Sequence, residues 1–210
     1  MNALNRRGAE DTEEDKGVVL VTDIDRIRRS LLSKTHLVAH ATRPTTENGL
    51  PDGPGIYAWW VLRGALGNIP AKSHPTESHR QLLYVGIAPK RSASSATIRS
   101  RVISNHLRGN TGSSTFRLAL AATLIDALCL HPNCSKSGKC VLPSDENQRL
   151  STWQKDHLSI TWAIVDQPWD IEAHTIQQLK PLLNVCENNQ HPYYSVIRAN
   201  RARFRQLARS

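Results

Sequence analysis

The sequence contains the run Gly55-Ile56-Tyr57-Ala58-Trp59-Trp60-Val61 and, further along, the run Leu82-Leu83-Tyr84-Val85-Gly86-Ile87. Both runs are short, rich in β-branched and aromatic residues, and bounded by glycine, proline or polar residues, which is typical of β-strands. Each run carries a tyrosine near a glycine, where the missing side chain lets another backbone or a ligand approach closely. The two runs therefore predict a pair of strands, each with a tyrosine at a point of close approach.

Other apolar patterns predict a third strand and several helices. Residues 158–166 alternate apolar and polar side chains, as a half-buried strand does. Apolar residues recur at helical spacing after Asp23, and helical patterns also cover residues 97–109, 116–130 and 168–180. The simplest assembly is an α+β fold, in which helices flank a small three-stranded antiparallel sheet.

Charge and hydropathy narrow the classes of partner. The chain of 210 residues has a formal net charge of +9 at pH 7. Because binding to phosphates releases condensed counterions, this charge favours polyanionic partners, although a solvated surface with excess arginine would give the same composition. No apolar run approaches the roughly 18 residues of a membrane span, and the N-terminal residues lack the apolar region of a secretory signal. We therefore expect a cytoplasmic protein that does not bind membranes.

Glu172 is the most informative single residue outside the two tyrosine runs. In the predicted helix over 168–180, Glu172, Ile176 and Leu179 are spaced to share one face, which should pack on the core. A carboxylate on that face loses hydration and needs a cation or a metal ion as its partner. An ion pair with an arginine and a hydrated position near the helix start are the alternatives to a metal site.

Together, the two tyrosine runs resemble the Gly-Ile-Tyr and Tyr-Ile-Gly strands of the GIY-YIG nuclease family, with Tyr84-Val85-Gly86 as the second motif. In that family, the second strand is followed by a helix with an arginine, a later helix with a glutamate, and then an asparagine. Here the segment 98–102 is similar to the arginine helix of the bacterial excinuclease members of the family, and the match selects Arg101. Downstream, Glu172 and Asn184 match the glutamate and the asparagine.

The resemblance implies a metal-dependent endonuclease that hydrolyses phosphodiester bonds in DNA. Glu172 would hold one Mg²⁺ or Mn²⁺, hard ions that prefer oxygen ligands, and Arg101 would clamp the phosphate. Tyr57 would act as the general base, or orient the attacking water, if nearby positive charge lowers its pKa. Tyr84 would position phosphate or water, and Asn184 would orient neighbouring groups. A catalytically silent nucleic-acid-binding module of the same fold and an RNA nuclease are the alternatives.

His106 marks a departure from the family pattern. Family members often place a histidine or tyrosine four positions after the arginine, and here that position is Asn105. In an α-helix, His106 would point about 100° away from the Asn105 direction, unless the helix loosens there. A catalytic role and a structural role on the partly apolar helix face are both compatible with the sequence.

A second group of residues could bind a structural metal ion. Three thiols and one imidazole, those of Cys129, His131, Cys134 and Cys140, fall within a dozen positions and could form a Cys₃His zinc site. The spacings are not the paired Cys-x₂-Cys motifs of a zinc ribbon, so an ordinary loop with free thiols is the alternative.

Basic residues near the predicted site could follow a nucleic-acid backbone without reading its sequence. The candidates are Lys90, Arg91, Arg108 and Arg99, the last being also the alternative to Arg101, together with the arginine-rich C-terminus. A solvated surface is the competing interpretation for the C-terminal arginines.

The resemblance also divides the chain. We expect a disordered acidic tail over residues 1–17, an N-terminal helical segment over 18–50, a nuclease domain over 51–190, and a basic tail over 191–210 that contains a short helix. Segments 63–81 and 131–147 would be insertions into the nuclease domain. Substrate specificity and oligomeric state do not follow from the sequence.

Overall fold

A computed structural model describes residues 24–42 and 49–210. The predicted acidic tail, and the parts of the N-terminal segment at 18–23 and 43–48, lie outside the described residues. The elements in chain order are α1 (residues 24–31), β1 (His36–Leu37), α2 (Val38–Ala41), β2 (Gly55–Leu62), β3 (Arg80–Ala88), α3 (Ile98–Ser100), a π-helix (Arg101–Leu107), α4 (Thr115–Thr123), β4 (Asn133–Cys134), β5 (Cys140–Val141), α5 (Ser144–His157), β6 (Leu158–Ile164), a 3₁₀ turn (Pro168–Asp170), α6 (Glu172–Leu179) and α7 (Tyr194–Leu207).

The predicted α+β fold is confirmed. Four antiparallel strands form one sheet in the order β1, β6, β2, β3, so the two tyrosine strands and the predicted third strand are its main part. The prediction of three strands missed β1, which adds two residues at the outer edge of β6. A strand of two residues is too short to show the alternation of apolar and polar side chains that identifies a strand in a sequence.

Helices cover both faces of the sheet, which explains why β2 and β3 are apolar almost without interruption. On one face, Tyr57, Trp59 and Tyr84 belong to a cluster with residues of α4 and α7. On the other face, Ile56, Trp60 and Val85 pack with residues of α1 and α6. The alternation of side chains along a strand therefore places both motif tyrosines on the face of α4 and α7.

The chain after α6 pairs with the outer edge of β3. The Leu183 N–H donates to the Leu83 carbonyl at 2.8 Å. The Asn184 side chain then bonds both backbone groups of Val85, accepting from its N–H and donating to its oxygen, each at 2.9 Å. This edge is thereby held in place beside Tyr84.

The helices of the structure differ from the predicted ones in three places. The helix predicted over 116–130 ends at Thr123. Apolar residues that follow are also buried, but they lie in turns and not in a continuation of the helix. Within 131–147, the structure has the β4–β5 hairpin and the start of α5, whose mostly polar sequence gives little apolar periodicity. The short helix expected in the C-terminal tail spans Tyr194–Leu207 and packs on α4 through the buried side chains of Ile197 and Phe204.

None of the helices described is long and apolar enough to cross a membrane.

Candidate active site

The two motif tyrosines meet over Gly86. Tyr57 lies opposite Gly86 in the β2–β3 register. A methyl group on Gly86 would lie 2.7 Å from the Tyr57 hydroxyl oxygen and 2.9 Å from Cε1 of Tyr84. Glycine is therefore required at position 86, because the Tyr57 ring crosses β3 at this point. The group that makes the predicted close approach is the tyrosine of the neighbouring strand.

The segment that carries Arg101 and His106 is a π-helix, not an α-helix. It follows one turn of α-helix that begins at Thr97 with a capping box to Ser100. The Arg108 N–H donates to the Ile103 carbonyl at 2.9 Å, a bond between residues five positions apart. In this winding, residues five positions apart share a face, so His106 lies on the same side as Arg101. The helix is therefore wider over Arg101–Leu107, and this wider turn brings His106 to the side of Arg101.

A buried arginine from α4 fixes the end of this π-helix. Nη1 of Arg117 donates to the His106 and Leu107 carbonyls at 2.9 and 3.0 Å. The same guanidinium is held on α5 by Gln154, at 2.6 Å, and by Ser151, at 3.1 Å. Burial lowers the pKa of Arg117 from 12.5 to about 10, so it remains charged at neutral pH. The wide helical turn is therefore tied to two other helices.

Tyr57 is a neutral phenol between Arg101 and His106. Burial raises the pKa of Tyr57 well above 10, and Tyr84 acts in the same direction. The nearby charge of Arg101 opposes this rise. The condition for a phenolate, a pKa lowered by nearby positive charge, is not met in the free chain, because burial outweighs the arginine.

His106 is a buried imidazole with both ring nitrogens engaged. Its Nε2 lies 2.7 Å from the Tyr57 hydroxyl, and its Nδ1 lies 2.8 Å from Oγ of Ser114. Burial, followed by the charges of Arg101, Lys90 and Arg117, holds the pKa of His106 well below 6.5, so the ring is neutral. These two contacts suit a neutral ring whose Nε2 accepts from the Tyr57 hydroxyl and whose Nδ1–H donates to Ser114, and the reverse tautomer inverts both directions. The result is a continuous hydrogen-bonded chain.

Glu172 opens α6 and faces a cavity of about 300 Å³, here called the carboxylate cavity. Its lining includes Tyr84, Lys90, Glu172, Asn184, Glu187 and Arg201. Burial raises the pKa of Glu172, while Lys90 and Arg101 lower it and Glu187 raises it. The core-facing position predicted for Glu172 is half correct, because Ile176 and Leu179 are buried and the carboxylate remains partly exposed at the rim.

Tyr84 is the motif tyrosine that lines this cavity, and it is also neutral. Burial raises the pKa of Tyr84, and the charge of Glu172 acts in the same direction, whereas the charges of Arg101 and Arg201 lower it. Tyr57 lies behind it, with 1% of its surface exposed against 8% for Tyr84. The two tyrosines therefore have different access to a ligand.

The predicted nucleic-acid-binding residues lie in three different settings. Lys90 is exposed and lines the carboxylate cavity. Arg99 instead donates to the carbonyls of Leu50 and Thr42, at 3.5 and 3.4 Å, and so holds the chain that leads into β2. Arg91 and Arg108 are exposed, and neither lines the carboxylate cavity. The geometry thus favours Arg101 over Arg99 as the arginine of the site.

The structure does not gather the four candidate zinc ligands. Cys129 and Cys134 are exposed, while Cys140 is buried opposite Cys134 in the β4–β5 pair. His131 directs Nδ1 to a carboxylate oxygen of Glu146 at 2.9 Å. Within residues 24–42 and 49–210, no three His, Cys, Asp or Glu side chains are grouped to hold a metal ion.

Several residues of the site were not predicted individually. Arg201 comes from α7, and its packing against the site depends on the seven-residue spacing of Ile197 and Phe204, a helical signal that the sequence does contain. Ser114 and Arg117 support His106 from α4. Glu187, three positions after Asn184, lines the carboxylate cavity, and no local pattern distinguishes it from other surface glutamates.

Comparison with known families agrees with this arrangement. The family model for the GIY-YIG catalytic domain matches residues 55–206, from the first residue of β2 to near the end of α7. No curated protein and no solved structure matches the chain significantly.

Proposed function

The chain belongs to the GIY-YIG nuclease family, and on this premise we propose that it is an endonuclease that hydrolyses phosphodiester bonds in DNA with a bound divalent metal ion. One observation carries the proposal: Tyr57 and His106 are hydrogen-bonded to each other, and the charge of Arg101 acts on both, beside the cavity that Glu172 faces. A phosphate at Arg101 would lie between a proton acceptor and a carboxylate, which are the groups that hydrolysis requires.

The residues of the carboxylate cavity fit a hard divalent cation. Burial raises the pKa of Glu172, which indicates a carboxylate that gains from a bound cation. Glu187 adds a second carboxylate to the lining, and Asn184 is already committed to Val85. Glu172 would therefore hold Mg²⁺ or Mn²⁺ largely with water and phosphate oxygens completing the shell. When bound, the ion would neutralise charge on the scissile phosphate and on the leaving oxygen.

Arg101 would bind a non-bridging oxygen of the scissile phosphate. An arginine guanidinium is planar and keeps its charge in proteins, so it can bind two phosphate oxygens through parallel hydrogen bonds. No carboxylate of the described residues forms an ion pair with Arg101. The charge is therefore available to a phosphate, and it would stabilise the negative charge that develops there.

Tyr57 and His106 would together act as the general base. The Tyr57 oxygen would take a proton from the attacking water while its own proton passes to Nε2 of His106, 2.7 Å away. The resulting imidazolium would keep its Nδ1–H on Ser114. Negative charge on a bound phosphate raises the proton affinity of this ring, so His106 becomes a stronger base when substrate is present. Tyr84, which lines the cavity, would position the phosphate or the water.

Nicking of supercoiled plasmid tests the proposal. The wild-type protein should nick DNA with Mg²⁺ or Mn²⁺ and not with EDTA, and Arg101→Ala should bind DNA without nicking it. Binding without nicking by the wild-type protein would favour the catalytically silent module. Cleavage of an RNA of the same sequence, with the DNA left intact, would favour the RNA nuclease.

A further inference from the structure

A second cavity, here called the basic groove, adjoins the carboxylate cavity. It has a volume of about 430 Å³, and Lys90, Thr115 and Arg201 line both cavities. Six cationic side chains line the groove, those of Lys90, Arg101, Lys139, Arg201, Arg205 and Arg209, and none of the described residues that line it is acidic. The groove therefore leads away from the arginine of the site with positive charge along its length.

These six cations have no carboxylate partners among the described residues. By contrast, Arg203, which lies on α7 between Arg201 and Arg205, forms an ion pair with Asp126, with guanidinium–carboxylate distances of 2.6 and 2.8 Å. No such pair joins any cation of the groove to a carboxylate in the part of the chain that the structure describes. Like charges four positions apart destabilise a helix by about 0.2–0.5 kcal/mol for each pair. A bound anion would remove this repulsion.

The arginines of the groove are spaced for a chain of anions rather than for one. Arg201 and Arg205 are four positions apart in α7, a helical rise of about 6 Å, and Arg209 follows in the turn after the helix ends. The Arg201–Arg205 rise alone is close to two phosphate steps, at about 3.4 Å each along one strand of a duplex. Lys139, in the β4–β5 hairpin, and the positive end of the α4 dipole at residues 111–115 form other parts of the lining.

We propose that the basic groove binds the phosphodiester backbone that flanks the cleaved bond, with Arg205 and Arg209 contacting phosphates beyond the one held at Arg101. This inference rests on the proposed function, since it takes the scissile phosphate to lie at Arg101. The contacts are to the backbone, so they set the register and the length of the bound strand and do not read its sequence.

Equilibrium binding of the full chain to a fluorescent 30-base-pair duplex in EDTA tests the groove, because no cleavage then consumes the probe. The variant Arg205→Gln/Arg209→Gln removes two groove charges. The matched control, Lys72→Gln/Lys155→Gln, removes two charges from exposed side chains that do not line the groove. Kd is measured between 50 and 200 mM salt, and the slope of log Kd against log salt is compared.

Each lost phosphate contact should reduce the slope by about 0.9, and at 0.1 M salt two lost contacts should raise Kd by up to about sixty-fold. The control should leave the slope near the wild-type value. An unchanged slope in the groove variant, or an equal change in the control, would overturn the inference. If the wild-type protein does not nick DNA but the groove variant still loses slope, the proposed hydrolysis fails and the groove stands as a nucleic-acid site.

Discussion

Replacing Arg117 by methionine is expected to weaken the fold and, to a greater extent, DNA cleavage. Arg117 is fully buried, and the four N–H groups of its Nη1 and Nη2 share six acceptors: the main-chain oxygens of His106, Leu107 and Asn147 and the side-chain oxygens of Asn147, Gln154 and Ser151. Methionine is long and flexible enough to fill the space, but it has no donor. The substitution therefore removes the contacts that hold the end of the π-helix.

The expected loss of stability is the difference between two terms. The His106 main-chain oxygen keeps the Gln154 amide as a donor at 3.2 Å, and the Leu107 and Asn147 oxygens share the single proton of the Ser151 hydroxyl, at 2.9 and 3.0 Å. The side-chain oxygens of Asn147 and Gln154 lose their donor, at a cost of about 1–3 kcal/mol each. Against this, holding the charged guanidinium in the core costs on the order of 3 kcal/mol, because its pKa falls from 12.5 to about 10.

With some weakening of the remaining bonds, we expect a net destabilisation of about 2 kcal/mol, and a melting temperature lower by roughly 4–8 °C. Cleavage should fall further than the folded fraction does. If the π-helix reverts to α-helical winding, the His106 direction changes by roughly 100°, and Nε2 no longer meets Tyr57.

Urea unfolding and plasmid nicking at 25 °C would measure the two effects separately. Arg149→Met is the matched control, because Arg149 also donates to main-chain oxygens, those of Leu128 and Cys129, from a partly exposed position on α5. If Arg117→Met unfolds at the wild-type urea concentration and nicks at the wild-type rate, the reasoning about the π-helix is refuted. A loss of stability with normal nicking would leave Arg117 structural and remove its link to His106.

Three further predictions concern the site itself. His106→Ala should reduce kcat/KM by about 10²–10⁴-fold. The kcat/KM of the wild-type protein should decline only below pH 6.5, because the pKa of His106 lies below that value. A decline centred above pH 7 would contradict this assignment. Gly86→Ala should displace Tyr57, cost about 1–3 kcal/mol of stability and abolish nicking; wild-type nicking would show that the Tyr57 position is not critical. Glu172→Gln should raise the melting temperature in EDTA, by roughly 2–4 °C for each 1 kcal/mol of stability gained. The reason is that burial raises the pKa of Glu172, so the folded state disfavours the ionised carboxylate. A lower melting temperature would contradict that interpretation.

The strands and most of the site were predictable because they depend on local sequence. Gly86 and the two motif tyrosines lie on neighbouring strands, and the alternation of a strand fixes which side chains share a face. Glu172 was predictable because its helical spacing to Ile176 and Leu179 is regular. In these cases, the short-range pattern and the tertiary contacts agree.

The position of His106 could not be predicted, because contacts distant in sequence decide it. Periodicity assumes α-helical winding, whereas the His106 carbonyl is held by Arg117 and Gln154, which lie 11 and 48 positions away. For the same reason, α5 has no clear apolar stripe, since part of its buried face is polar and bonds Arg117. Arg201 is a different case: the sequence contains the helical spacing of Ile197 and Phe204, but the prediction of a basic tail over 191–210 did not use it.

The most direct test of the account is metal-dependent nicking by wild-type protein and by Glu172→Gln, each at saturating DNA. We predict nicking by the wild-type protein with Mg²⁺ or Mn²⁺, none with EDTA, and none by Glu172→Gln under any condition, while Glu172→Gln still binds the plasmid. Nicking by Glu172→Gln at the wild-type rate, or nicking by the wild-type protein that EDTA does not stop, would contradict the claim that this carboxylate and its metal ion act in the cleavage.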